Sequence, residues 1–148
     1  VDGIKVSALE SKPPTYPLAD HAEDLRAASG RALADLTVAA AAEGALTIDD
    51  LQISAATLRA QAEIARTAGY GQLAANLTRA AELTAVPNAE VLRMYDMLRP
   101  GRASQAELAQ LADTLEHTYA APTCAALVRE AAEVYRQRGL ARRTSTGR

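Results

Sequence analysis

The chain has 148 residues, 49% hydrophobic and 23% charged, with a formal net charge of -2. That length fits one domain able to bury roughly two thirds of its unfolded surface, and so small a charge gives no reason to expect nucleic acid or an anionic membrane as a partner. No apolar run approaches the ~20 residues of a membrane span, no signal peptide is expected, and the single cysteine, Cys124, excludes an internal disulfide and fits a reducing cytosol.

Alanine supplies 35 residues, while Leu, Ile, Val and Phe together supply 29, none of them Phe. Alanine packs helices closely but offers little apolar area, so the expected core is thin and completed by partner subunits. Low aliphatic content marks disorder only when joined to high net charge, which is absent here.

Residues 1–34 carry Pro13, Pro14, Pro17 and Gly30 without a sustained period and read as an extended N-terminal arm. A helical domain follows over residues 35–139, and residues 140–148 read as a basic flexible tail. The domain begins with a short alanine helix over 38–43, stopped by Gly44, and a brief turn at 47–50 capped by Thr47. Ser54 caps a helix to about residue 68, with Leu58, Ala62 and Ala65 on one side and Ile64 widening the stripe. Gly69-Tyr70-Gly71 interrupts or bends the pattern. Neither a preceding strand nor a following Gly-Lys-Ser/Thr makes that pair a phosphate loop.

A helix over residues 72–84 places Leu73, Leu77, Ala80, Ala81 and Thr84 at helical spacing. Asn76-Leu77-Thr78 falls inside it, so this sequon is accidental. Pro87 opens the next helix, to about residue 98, whose Val91, Leu92, Met94, Tyr95 and Leu98 form a broad apolar stripe ended by Pro100-Gly101. Ser104 and Glu107 form a capping box at the start of a helix to about residue 119, with Leu108, Leu111, Ala112, Leu115 and Tyr119 on one face. Ala121-Pro122 starts the last helix and Gly139 ends it. The fold class is all-α, a small bundle of about five helices with an irregular N-terminal arm.

Candidate reactive groups are few. His117 lies about 200° around its helix from Leu115 and so faces solvent. Asp113 one turn earlier, and the nearby helix end, make a structural capping role the first reading. Cys124 shares a face with Leu127, Val128, Ala131 and Tyr135 and reads as a small core residue. Zinc wants three or four protein ligands, and neither a second cysteine nor a histidine near His117 is available, His21 lying in the arm. The pairs Asp49 with Asp50 and Glu130 with Glu133 read as solvated faces rather than paired-carboxylate sites. Tyr70, Tyr95, Tyr119 and Tyr135 are core residues with a wet hydroxyl or interface anchors. Arg136, Arg138, Arg142, Arg143 and Arg148 read as a solvated basic end. No catalytic constellation emerges from residue chemistry.

The run Arg79-Ala80-Ala81-Glu82-Leu83, then Pro87, Tyr95, Leu98-Arg99-Pro100-Gly101-Arg102-Ala103-Ser104-Gln105-Ala106-Glu107-Leu108, Leu115-Glu116-His117-Thr118, Val128-Arg129-Glu130 and Ala132-Glu133-Val134-Tyr135 closely resembles the small (gamma) subunit of adenosylcobalamin-dependent diol and glycerol dehydratases. Weaker likeness extends upstream through Tyr16-Pro17-Leu18-Ala19, Leu36-Thr37 and Ile53-Ser54-Ala55-Ala56-Thr57-Leu58, covering roughly residues 16–139. The alanine-rich segment 38–42 and the glycines Gly69 and Gly71 depart from the family's pattern.

The resemblance implies a complex with large and medium subunits, usually a dimer of heterotrimers, turning a 1,2-diol or glycerol into an aldehyde and water. It implies that catalytic groups lie in the large subunit, that adenosylcobalamin is held by the complex rather than by this chain, and that this chain supplies no catalytic, cofactor or metal residues. What it would supply is a surface. The arm, the wide stripes of the middle helices and the region of Tyr95, Arg99 and Arg102 are the partner-binding candidates, the last because tyrosine and arginine dominate interface anchors; the other reading has those arginines capping helix ends or pairing with local carboxylates. Propanediol and glycerol are not distinguished, since the pocket is expected on another chain. The implied location is the cytoplasm, free or enclosed in a bacterial microcompartment. The rival reading is a free-standing helical adaptor or regulatory protein whose arginine tail meets a partner or nucleic acid.

Overall fold

The computed structural model describes residues 13–143, so the first twelve residues of the expected arm and the end of the arginine tail, with Arg148, lie outside it. Seven α-helices follow in order: α1 (Val38–Ala42), α2 (Ile48–Leu51), α3 (Ala55–Thr67), α4 (Gly71–Leu83), α5 (Asn88–Met97), α6 (Gln105–His117) and α7 (Pro122–Arg138). The five longer ones are the helices expected from the periodicity, and α1 and α2 are single turns. The described residues contain no strand beyond one isolated antiparallel bridge between Arg26 and Ala32. The fold is all-α, and the chain divides into two compact units after Ala74.

In the N-terminal unit, 3₁₀ turns at Leu18–Asp24 and Leu33–Asp35 flank a reversal in which the Leu33 amide donates to the Leu25 carbonyl at 3.1 Å. Thr37 caps α1, its hydroxyl accepting from the Ala40 amide at 3.1 Å. Ser54 holds the N-cap position of α3 without a side-chain bond, so the expected cap is positional only. Gly69 ends that helix at φ +86, a conformation that a side chain resists. The Tyr70 amide then reaches the Ala65 carbonyl at 2.8 Å, and α4 begins at once. The interruption expected at Gly69-Tyr70-Gly71 is therefore a complete helix end. Among the described residues of this unit, Asp50, Ala62, Ala65 and Ala74 are the buried side chains, while Tyr16, Val38, Ile48, Leu51 and Ile53 are exposed.

The C-terminal unit holds a different core. Leu108, Leu111 and Leu115 of α6 are completely buried and pack with Val86, Met94, Cys124, Ala125 and Val128. Each buried leucine contributes roughly 1.5–3 kcal/mol. The Ser104–Glu107 capping box forms as expected: the hydroxyl accepts from the Glu107 amide at 3.3 Å and the carboxylate accepts from the Ser104 amide at 2.7 Å. On α5 the stripe is narrower than expected. Val91, Met94 and Leu98 face the core, but Leu92 and Tyr95 are 70% and 68% exposed, because successive residues turn about 100° and one helix face cannot hold all five. Leu73 and Thr84 of α4 and Leu127 of α7 are likewise outside.

Three long-range hydrogen bonds tie this unit together. The Tyr135 hydroxyl donates to the Leu98 carbonyl at 2.5 Å, giving that half-buried ring the wet-hydroxyl role in protein form. After Gly139 ends α7 in the left-handed region, the Leu140 carbonyl accepts from the Gly101 amide at 2.7 Å and the Arg142 amide donates to the Ala103 carbonyl at 2.8 Å. This lashes residues 140–142 to the corner between α5 and α6.

Candidate functional site

The two histidines do not meet any reactive partner. His117 sits exposed in the last turn of α6, as its helical phase requires, but Asp113 is not its companion. Arg129 of α7 takes Asp113 at 2.9 Å and Glu116 at 2.5 Å, a correction that sequence spacing along one helix could not reveal. His21 exchanges a hydrogen bond with the Thr15 hydroxyl at 2.9 Å. Cys124 is buried in the first turn of α7, and burial, followed by the nearby Glu82 carboxylate, pushes its thiol up to about 12. A thiol held that far above neutrality has almost no thiolate and is inert as a nucleophile. Among the described residues no three His, Cys, Asp or Glu side chains cluster to hold a metal.

Among the described residues two carboxylates are buried, and both are structural. Asp50, expected on a solvated face, is 3% exposed. Its Oδ1 accepts from the Ser29 hydroxyl at 2.5 Å and from Arg31 Nε at 3.0 Å, and its Oδ2 accepts from the Thr47 amide at 2.7 Å and the Thr47 hydroxyl at 3.1 Å. Arg31 continues to the Ala45 carbonyl at 3.0 Å. These bonds, the Ser29 hydroxyl foremost, outweigh burial and hold the Asp50 carboxyl far below its ordinary value. The arrangement clasps residues 29–31 to the start of α2. Thr47-x-x-Asp50 was the available signal, since a threonine three residues before an acid is a capping box.

Glu82 does the same in the other unit. It lies near the end of α4 and accepts from the Thr123 amide at 3.0 Å and the Cys124 amide at 2.8 Å, satisfying two of the unpaired N–H groups at the start of α7. Burial raises this carboxyl, but the bonds from Thr123 and Cys124 together leave it lowered. No local pattern could have found this role, because the partners lie 41 and 42 residues away.

The partner-binding candidates all fall at the C-terminal end of α5 and the loop after it. Tyr95 is exposed, whereas Arg99 and Arg102 both turn to Asp96, at 3.5 and 3.8 Å. Both arginines thus have a local carboxylate within reach, at distances long enough for the contacts to be weak. Of the basic end, Arg136 pairs with Glu133 at 2.6 Å and Arg142 with Glu107 at 2.5 Å. Glu133 is thereby held at about 2, by Arg136 first and Gln137 second.

Two cavities open on the C-terminal unit. One of about 300 Å³ is apolar, with Leu83, Met94, Tyr95, Leu98 and Leu127 among its walls and Cys124 beside them. The other, of about 430 Å³, is polar and includes Arg93, Arg102, Glu107 and Arg142. Neither contains a base and nucleophile in hydrogen-bond reach.

Residues 12–142 match the dehydratase small-subunit family. The chain belongs to that family. It is 47% identical over 133 residues to the propanediol dehydratase small subunit of Citrobacter freundii, and 46% identical over the same length to that of Salmonella typhimurium. Each comparison covers 89% of this chain and 77% of the relative. As a dehydratase small subunit, the chain works with other subunits of an enzyme complex. No helix among the described residues is long and apolar enough to cross a membrane.

Proposed function

We propose that this chain is the non-catalytic small subunit of an adenosylcobalamin-dependent propanediol dehydratase, in which a large subunit performs the radical dehydration of propane-1,2-diol to an aldehyde. The observation that carries this reading is the identity of 47% to a propanediol dehydratase small subunit across 89% of the chain. The names of both relatives favour propanediol over glycerol as the substrate of the complex. We take the assembly to be a dimer of heterotrimers in the cytoplasm, free or within a microcompartment.

Among the described residues, the linings of the two cavities do not fit the coenzyme. Neither histidine lines either of these two cavities, and the larger of them presents guanidinium groups rather than a ligand for cobalt. We therefore assign adenosylcobalamin to the partner chains.

What supports a docking role is the placement of apolar side chains. Val38, Ile48, Leu51 and Ile53 of the N-terminal unit are 88%, 72%, 67% and 67% exposed, in a unit whose buried side chains are three alanines and an aspartate. Leu92 and Tyr95 add a second exposed group on α5, next to Arg99 and Arg102. Both groups are proposed contacts with the partner chains. Co-expression of the large, medium and small chains tests the reading. Coenzyme-dependent aldehyde formation should collapse when this chain is omitted, and unchanged activity without it, together with no co-purification, would refute the assignment.

A further inference from the structure

Charge is spread unevenly along the chain. Between Arg31 and Arg59 there is no lysine or arginine, yet that stretch holds four acids, Asp35, Glu43, Asp49 and Asp50. Asp50 is buried, and Arg31 answers its charge inside the unit. Asp35, Glu43 and Asp49 are exposed, and none of them forms an ion pair or a side-chain hydrogen bond among the described residues. Elsewhere, surface acids are neutralised close at hand: Glu63 by Arg66, Glu90 by Arg93, Asp113 and Glu116 by Arg129, and Glu133 by Arg136. Local structure rewards Asp49, which lies in the first turn of α2, but not Glu43 at the C-cap of α1, where helix carbonyls disfavour a negative charge.

The same stretch carries the exposed Val38, Ile48, Leu51 and Ile53. Its α2 turn is fixed by the bonds from Ser29, Arg31 and Thr47 to Asp50, so Ile48, Asp49 and Leu51 are presented on an ordered element. The mixture decides what can cover it. A purely apolar surface would strip water from three carboxylates and leave them unpaired, which is costly. An anionic membrane or a nucleic acid would be repelled by them. A metal ion does not fit either, because among the described residues no three such groups gather to hold one. Arginine and lysine meet both demands, since their stems cover apolar surface while their cationic heads reach carboxylates.

We propose that residues 35–53 dock an apolar surface of a partner subunit studded with arginine or lysine, an inference that rests on the small-subunit reading above. The aliphatic side chains supply the area buried, and Asp35, Glu43 and Asp49 supply register and a charge-steered encounter.

The test titrates the full-length small chain, labelled for fluorescence, onto a purified complex of the large and medium chains at low and high salt. The triple variant Asp35→Asn, Glu43→Gln, Asp49→Asn should weaken association roughly tenfold or more at low salt and flatten its salt dependence, with Glu43→Gln alone acting in the same direction. Ile48→Ala should weaken binding while keeping the wild-type salt dependence. Glu130→Gln removes an exposed acid of α7 that is also without an ion pair, and should bind like the wild type. Circular dichroism and unfolding midpoints check that each variant folds, and none of the three acids holds a side-chain bond that the fold would lose. Binding by the folded triple variant within twofold of wild type, or tighter than wild type, would overturn the basic partner surface while leaving the small-subunit reading in place. So would an equal loss in Glu130→Gln, or a loss seen only in self-association of the small chain alone. Failure of the wild-type chain to bind at all would overturn that reading and the docking surface with it.

Discussion

The C-terminal unit buries leucines, whereas the N-terminal unit buries alanines and an aspartate and turns Val38, Ile48, Leu51 and Ile53 outward. A buried methylene is worth about 0.8 kcal/mol, so the two interiors differ in driving force even where both are helical. Polar bonds replace part of that force in the N-terminal unit, where Asp50 gathers Ser29, Arg31 and Thr47. A polar clasp with large apolar side chains facing out is what the proposed completion of this region by another chain would require.

The largest effect should come from the leucine core. Leu108→Ala is expected to cost about 2–5 kcal/mol in urea unfolding of the isolated chain. Ala62→Gly in α3 should cost only about 1 kcal/mol, mainly through helix propensity. A smaller loss for Leu108→Ala than for Ala62→Gly would erase the contrast between the units.

Asp50→Asn sharpens the same contrast locally. It removes the charge that accepts from Ser29 and Arg31 and places an NH₂ group among donors. Amide exchange should accelerate across residues 25–50 while α6 and α7 keep their protection. Uniform acceleration over both units would show that the clasp is not local.

A smaller gain is expected at the junction of α6 and α7. Ala120 sits at φ 50, where a Cβ is unfavourable, so Ala120→Gly should stabilise the chain by about 1 kcal/mol in thermal unfolding. A drop in stability would mean that backbone freedom gained in the unfolded chain outweighs the relief of strain.

The smallest effect is pH-dependent. The Glu107 carboxyl, at about 2 when folded against an ordinary 4.5, contributes stability that is fully present above about 4.5 and is lost as pH falls towards 2. Comparing unfolding midpoints at pH 7 and pH 3, wild type should lose more than Glu107→Gln. Equal losses would place the acid sensitivity elsewhere.

Much of this was legible in the chain. The Ser104–Glu107 box, Pro122 at the start of α7 and Gly139 at its end are short-range signals, and short-range chemistry sets helix ends. The leucine face of α6 followed from its period, and the face of Cys124 from its neighbours. What escaped depends on residues far apart in sequence. Glu82 caps a helix 41 residues away, Arg129 outcompetes His117 for Asp113 from another helix, and Arg142 reaches Glu107 across 35 positions. Leu92 and Tyr95 fall in the apolar stripe by periodicity yet stay exposed, because periodicity counts apolar residues without weighing how many of them one helix face can bury.

We propose that the N-terminal unit is completed by a partner chain. Hydrogen exchange of the small chain, alone and assembled with the large and medium chains, tests it most directly. The account predicts that amides flanking Val38, Ile48, Leu51 and Ile53 gain strong protection on assembly while the buried amides of α6 change little. Equal exchange in the N-terminal unit with and without the partners would contradict it.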